Sequence, residues 1–87
     1  VNGPGGSIVG VVGAHGYSGT IAPFANAQAA NKRVWQTEVS DLGTNKSDIS
    51  DGLRWAKSIH SYMVAAEANA WLYWLAAHTI TTGESLI

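Results

Sequence analysis

Four side chains suited to chemistry fall at comparable places along the chain: His15 and Tyr17 in "VVGAHGYSG", Glu38 in "KRVWQTEVSD", and Trp74 in "AWLYWLA". Each stands at or just after the end of an apolar run rich in β-formers. In parallel α/β proteins the C-terminal ends of strands carry the site, while the strand bodies are packing. A carboxylate suited to covalent attack, an aromatic face for a pyranose ring, and an imidazole and a phenol for hydrogen bonding make this set a candidate sugar site. Taken singly the same residues have plainer readings. A lone histidine is commonly structural, a strand-end glutamate a solvated edge, and a tryptophan part of the core.

Two other chemistries compete for the glycine-rich stretch, where Gly10, Gly13, Gly16 and Gly19 recur every third residue. A phosphate-cradling loop needs Gly-Lys-Ser/Thr or G-x-G-x-x-G, and neither occurs here. A nucleophile elbow needs G-x-S-x-G, but the frame around Ser18 runs Gly16-Tyr17-Ser18-Gly19-Thr20 and lacks the last glycine. With His60 and His78 downstream, a serine esterase built on Ser18 stays open as an alternative. So does a non-enzymatic α/β module that stacks sugars on Tyr17, Tyr73 and Trp74.

The elements that must position these residues read as strand, helix, strand, helix, strand. "IVGVVGAH" (8–15) is a near-continuous apolar run of the kind buried on both faces in parallel sheets. "PFANAQAAN" (23–31) is Ala-rich, with Pro23 suited to a first helical position. A second strand centres on residues 34–39. The longest helix is expected over 49–67, capped by Ser47 or Asp48, with Asp51 in its first turn. Its wheel predicts Leu53, Ile59 and Met63 inward and Arg54, Lys57 and Ser61 outward. "AWLYWLA" (70–76) fits a third buried strand. Repeated βα units of this length imply parallel pairing through helical crossovers.

Composition narrows the function classes. The 87 residues allow one small domain, 46% hydrophobic and 13% charged, with net charge −1. Five scattered basic residues argue against an electrostatic nucleic-acid surface. No apolar run approaches the roughly 20 residues needed to span a bilayer. With no cysteine there is neither a disulfide framework nor a thiolate metal site. Four tryptophans are many for a free-standing domain of this size. Together with the start at Val1 and the apolar close "GESLI", they suggest a piece of a larger protein.

"VVGAHGYSG", "KRVWQTEVSD", "SIHSYMVAAEANAWLYW" and "GESLI" together resemble the last third of the catalytic barrel of glycoside hydrolase family 30. This is a family of retaining β-glycosidases and endo-glycanases that includes glucuronoxylanases and β-1,6-galactanases. The most specific element is Trp35-Gln36-Thr37-Glu38, similar to the family's strand-seven Trp-x-Thr-Glu. By that match Glu38 is the nucleophile. His15 and Tyr17 match the family's His-x-Tyr after strand six, and Trp74 matches the aromatic pair that closes strand eight. The resemblance implies an α/β fold, a partial (β/α)8 TIM barrel comprising about strands six to eight with their helices, over residues 1–87. It implies a secreted enzyme with a poly- or oligosaccharide substrate, no cofactor or metal, and no nucleic-acid or membrane partner.

The departures carry expectations too. The family's acid/base glutamate follows an asparagine on strand four, and no Asn-Glu pair occurs in these residues. Retaining hydrolysis needs two carboxyl groups about 5–5.5 Å apart. The remaining carboxylates, at Asp41, Asp48, Asp51, Glu67 and Glu84, are expected in loops or on helix surfaces, none a convincing partner. The 87 residues alone are therefore expected to be inactive.

Overall fold

The computed structural model describes residues 1–41, 46 and 48–77. Its elements run in the expected order: β1 (Val11–His15), α1 (Ala25–Ala29), β2 (Arg33–Glu38), α2 (Ile49–Ala65) and β3 (Ala70–Trp71). A short 3-10 turn, Gly6–Ile8, precedes β1. The three strands form one parallel sheet in the order β1-β2-β3. Each parallel step needs a crossover, and α1 and α2 supply them.

Side-chain alternation divides the sheet into two faces. Val34 and Gln36 of β2 are 3% and 2% exposed. They share their side with α2, since the Gln36 amide nitrogen, the Tyr62 hydroxyl and Val39 all converge on Gly16. Trp71 and Tyr73 face the same way, each packing edge-on against Trp55 of α2 at ring-centroid distances of 5.7 and 5.0 Å. Trp35, Leu72 and Trp74 belong to the other face and are exposed. The expectation that β1 is buried on both faces is thus corrected. Its alternate residues Val11, Gly13 and His15 are open on the face away from α2.

The long helix forms where expected and stops two residues earlier, at Ala65. Asp48 is its cap, accepting from the backbone N–H groups of Ser50 and Asp51. Its orientation differs from the wheel reading. Leu53, Ile59 and Met63 are exposed, while Asp51, Trp55, Ser58 and Tyr62 turn toward the sheet, with Ser61 half-buried at their edge. Arg54 and Lys57 are exposed as expected. The helix carries two apolar stripes, and the one bearing Trp55 and Tyr62 wins because Trp71 and Tyr73 offer aromatic edges to it. Ser58 and the fully buried Ala66 let the backbone approach closely.

The third strand is shorter than "AWLYWLA" suggests, yet its backbone stays paired beyond Trp71. Leu72 N–H donates to Gln36 O and Trp74 N–H to Val39 O. A cis peptide bond joins Trp74 to Leu75. Among the described residues, no helix is long and apolar enough to cross a membrane.

Candidate active site

Glu38 is the last residue of β2 and His15 the last of β1, and the two are register partners. Strict alternation would put Glu38 beside Gln36 on the buried, α2-facing side. It does not lie there, because β2 carries a bulge. Ala14 pairs with Gln36, but the next residue of β1, His15, pairs with Glu38 and skips Thr37. The same extra residue shows on the opposite flank, where the step from Leu72 to Trp74, just beyond β3, answers the step from Gln36 to Val39, just beyond the end of β2. Thr37 and Glu38 therefore both project away from α2. Bulges re-aim side chains in this way beside functional sites. Thr37 compensates for its lost pairing by donating its hydroxyl to Ala14 O at 3.2 Å.

The bulge brings three sequence-predicted residues together. Tyr17 Oη donates to Glu38 Oε1 at 2.9 Å. His15 Nε2 lies 3.3 Å from Glu38 Oε2, so each carboxylate oxygen faces a different side chain. The His15 and Tyr17 rings meet edge to face, with centroids 6.0 Å apart. Gly16 between them donates its N–H to Glu38 O at 2.7 Å, tying the turn after β1 to the end of β2. The fourth residue, Trp74, is 48% exposed and one backbone bond from Val39, on the same face and at the same end of the sheet. A half-exposed indole at this rim offers a flat apolar surface.

Two features of the rim went unread in the sequence. Ser40, 7% exposed, places its hydroxyl 3.4 Å from Tyr17 Oη. Asp41 lies in the loop after β2, within the expectation of a loop or a helix surface, but it is 2% exposed and ion-paired with Arg54 of α2. Arg54 also bonds Asp51 and lies over the Trp55 ring, 4.2 Å from its centroid. The Asp51 bond, aided by the Asp41 charge, holds the guanidinium above its usual range although burial opposes it. Burial pushes the Tyr73 phenol up, partly offset by an N–H from Asp41. The signal for Asp41 was present in the spacing of an Asp three residues beyond a strand end and an Arg early in the next helix.

Among the described residues the other carboxylates are engaged elsewhere. Asp41 and Asp51 are committed to Arg54, Asp48 to the helix cap, and Glu67 follows α2 in a left-handed conformation (φ 52°). Glu84 and His78 lie outside the described residues. Ser18 is exposed in a turn, and among the described residues no histidine side chain bonds it, which leaves the esterase reading without support. Also among the described residues, no group of three or more His, Cys, Asp or Glu could hold a metal. A cleft of about 520 Å³, lined by Gln28, Asn31, Lys32, Arg33, Val34, Glu67 and Asn69, opens at the N-terminal end of the sheet. It lies opposite Glu38, and in α/β barrels that end serves stability while chemistry gathers at the C-terminal end.

No protein-family model matches the chain. Among solved structures it is similar to Xyn30A, a glycoside hydrolase family 30 subfamily 8 xylanase from Clostridium acetobutylicum, with a TM-score of 0.81 and 28% sequence identity. The match covers 94% of this chain and 20% of the xylanase chain, so the chain spans a fifth of the length of the enzyme it resembles. The parallel sheet with its crossover helices is thereby an α/β fragment like part of a TIM-barrel glycoside hydrolase. By this likeness the chain resembles part of a glycoside hydrolase family 30 enzyme.

Proposed function

We propose that residues 1–87 supply the nucleophile side of a retaining β-glycoside hydrolase site, as the sixth to eighth βα units of a catalytic barrel that acts outside the cell on a xylan-like β-glycan. The observation that carries this reading is Glu38 itself. A bulge turns it out of the buried face, and Tyr17 and His15 hold its two oxygens at the C-terminal rim. In the first step a Glu38 oxygen attacks the anomeric carbon. The glycosidic C–O bond breaks, and the departing oxygen takes a proton from a second carboxyl group contributed by the rest of the barrel. In the second step that group takes a proton from water, the water oxygen attacks the anomeric carbon, and Glu38 leaves as carboxylate.

Each neighbour has a part in this chemistry. The Tyr17 proton steadies the carboxylate and fixes its plane, and His15 flanks the other oxygen. Trp74 presents a face on which a sugar ring can stack. The test is made in the protein with its barrel whole. Glu38→Gln abolishes turnover of β-1,4-xylan while xylo-oligosaccharide binding persists. Glu38→Gly with added azide yields a glycosyl azide of inverted configuration, because the small anion takes the place of the missing carboxylate. Full turnover in Glu38→Gln overturns the nucleophile assignment, while a wild-type protein that binds xylan without turnover, and binds it equally well as Glu38→Gln, overturns the proposal in favour of a binding module.

A further inference from the structure

The bulge places Glu38 on the open face, and the extended chain beyond it returns Val39 to the buried side and Ser40 to the open one. Ser40 is held from both directions. Val39 O accepts the Trp74 N–H at 2.8 Å, and Asp41 is clamped by Arg54. Tyr17, by contrast, sits in a turn and is 37% exposed. Its hydroxyl is the meeting point of two contacts, 2.9 Å to Glu38 Oε1 and 3.4 Å to Ser40 Oγ.

Proton counting sets the direction of both bonds. A phenol has one proton to give, and an ionised carboxylate can only accept. The Tyr17 proton therefore goes to Glu38, and Ser40 is the donor to Tyr17 Oη. On the reading of Glu38 as the nucleophile, we infer that Ser40 is a positioning residue that aims the Tyr17 hydroxyl at the attacking carboxylate. A rigid donor in the strand end fixes a phenol anchored in an exposed turn, and successive hydroxyls polarise one another along the chain from Ser40 through Tyr17 to Glu38. Ser40 touches neither substrate nor the reacting atoms. Its influence passes wholly through Tyr17.

That dependence gives a test which separates positioning from general support of the fold. Ser40→Ala, Tyr17→Phe and the double variant are compared on β-1,4-xylan in the protein with its barrel whole. Ser40→Ala is expected to lower kcat about three- to tenfold with KM nearly unchanged, the scale of one ordinary hydrogen bond felt in the transition state. In the Tyr17→Phe background the same change has no further effect, because no phenol oxygen remains to be aimed. Ser40→Cys, nearly isosteric but a weak donor, follows the alanine variant and serves in its place if that variant does not fold. Costs that multiply in the double variant, or a Ser40→Ala enzyme with wild-type kcat, overturn the inference. Glu38→Gln run alongside keeps the two readings apart. If it abolishes turnover while Ser40 and Tyr17 act independently, only the role of Ser40 falls. If it leaves turnover intact, the nucleophile assignment falls first.

Discussion

Gly16 joins His15 to Tyr17 at a place where a methyl group has no room. A Cβ there would lie 2.8 Å from Tyr62 Oη, 3.0 Å from Gln36 Nε2 and 3.3 Å from Val39 Cβ. Non-bonded carbon contacts are most favourable at about 3.5–4.0 Å, so all three neighbours are too close. The backbone at Gly16 is not left-handed, since Gly19 is the positive-φ glycine here, and the obstacle is steric rather than conformational. Gln36 and Val39 are 2% and 7% exposed and cannot retreat, whereas the Tyr62 hydroxyl is the far end of a helix side chain and can. Overpacking of this kind costs about 1–3 kcal/mol. In the protein with its barrel whole, Gly16→Ala should lose that much in urea unfolding, read from the midpoint at constant slope. Tyr62→Phe removes the nearest obstacle and should return about 1 kcal/mol in the double variant, a coupling typical of residues in contact. A Gly16→Ala protein as stable as wild type, or a double variant whose losses simply add, would refute the packing argument.

Two further outcomes follow from charge and exposure. Burial holds the Tyr73 proton above its ordinary value near 10, so the folded state binds it more tightly than the unfolded chain does. Its contribution is complete below about pH 10 and is lost as pH rises through the folded value, and Tyr73→Phe should flatten that alkaline slope in denaturation titrations. Asp48 has the opposite sign: its bonds to Ser50 and Asp51 hold it below 3.8, so its contribution is present above that value and fades as pH falls. Asp48→Asn should remove the corresponding acid-side loss of α2 helicity measured by circular dichroism. The 87 residues by themselves should unfold without a sharp transition, bind a hydrophobic dye and self-associate in size-exclusion chromatography. Val11, Trp35, Leu72 and Trp74 stand open on one face of the sheet, and Ile49, Leu53 and Val64 on the helix. A soluble, cooperatively unfolding monomer would refute that expectation.

Much of this arrangement is legible in the residue order. The apolar run ending in His15, the β-branched and aromatic run ending in Glu38, and the Asp48 cap each mark an element that forms close to the expected bounds. What could not be read depends on a partner element. The bulge at Thr37 shows only when β2 is laid against β1, because nothing in Gln36-Thr37-Glu38 marks which residue will be skipped. The inward face of α2 was misread because Leu53 and Met63 satisfy a helical period as well as Trp55 and Tyr62 do. Only the aromatic edges of Trp71 and Tyr73 decide between them. The burial and pairing of Asp41 went unread because its partner stands thirteen residues away on another element.

The bulge also separates two kinds of demand on the same strand. On the α2 side, Gln36 and Val39 are packed, Asp41 is paired and Gly16 is crowded, so substitutions there act first on stability. On the open side, Glu38 with His15, Tyr17 and Trp74 carries little of the packing, and under the proposed function substitutions there act first on chemistry. The two are joined by backbone bonds that cross from one neighbour to the next: Gly16 N–H to Glu38 O, and Trp74 N–H to Val39 O. A carboxylate must be held within a fraction of an ångström of its working position. Here its backbone is gripped from both flanking strands, while its side chain is left free of the core that does the gripping. Deleting Thr37 would restore strict alternation with Glu38 one position after Gln36, and so leave it on the open side, still the partner of His15. On the proposed reading of Glu38, that deletion and Thr37→Val, which loses only the bond to Ala14 O, should both retain turnover, and a Thr37 deletion that folds but is inactive would refute this account of the bulge.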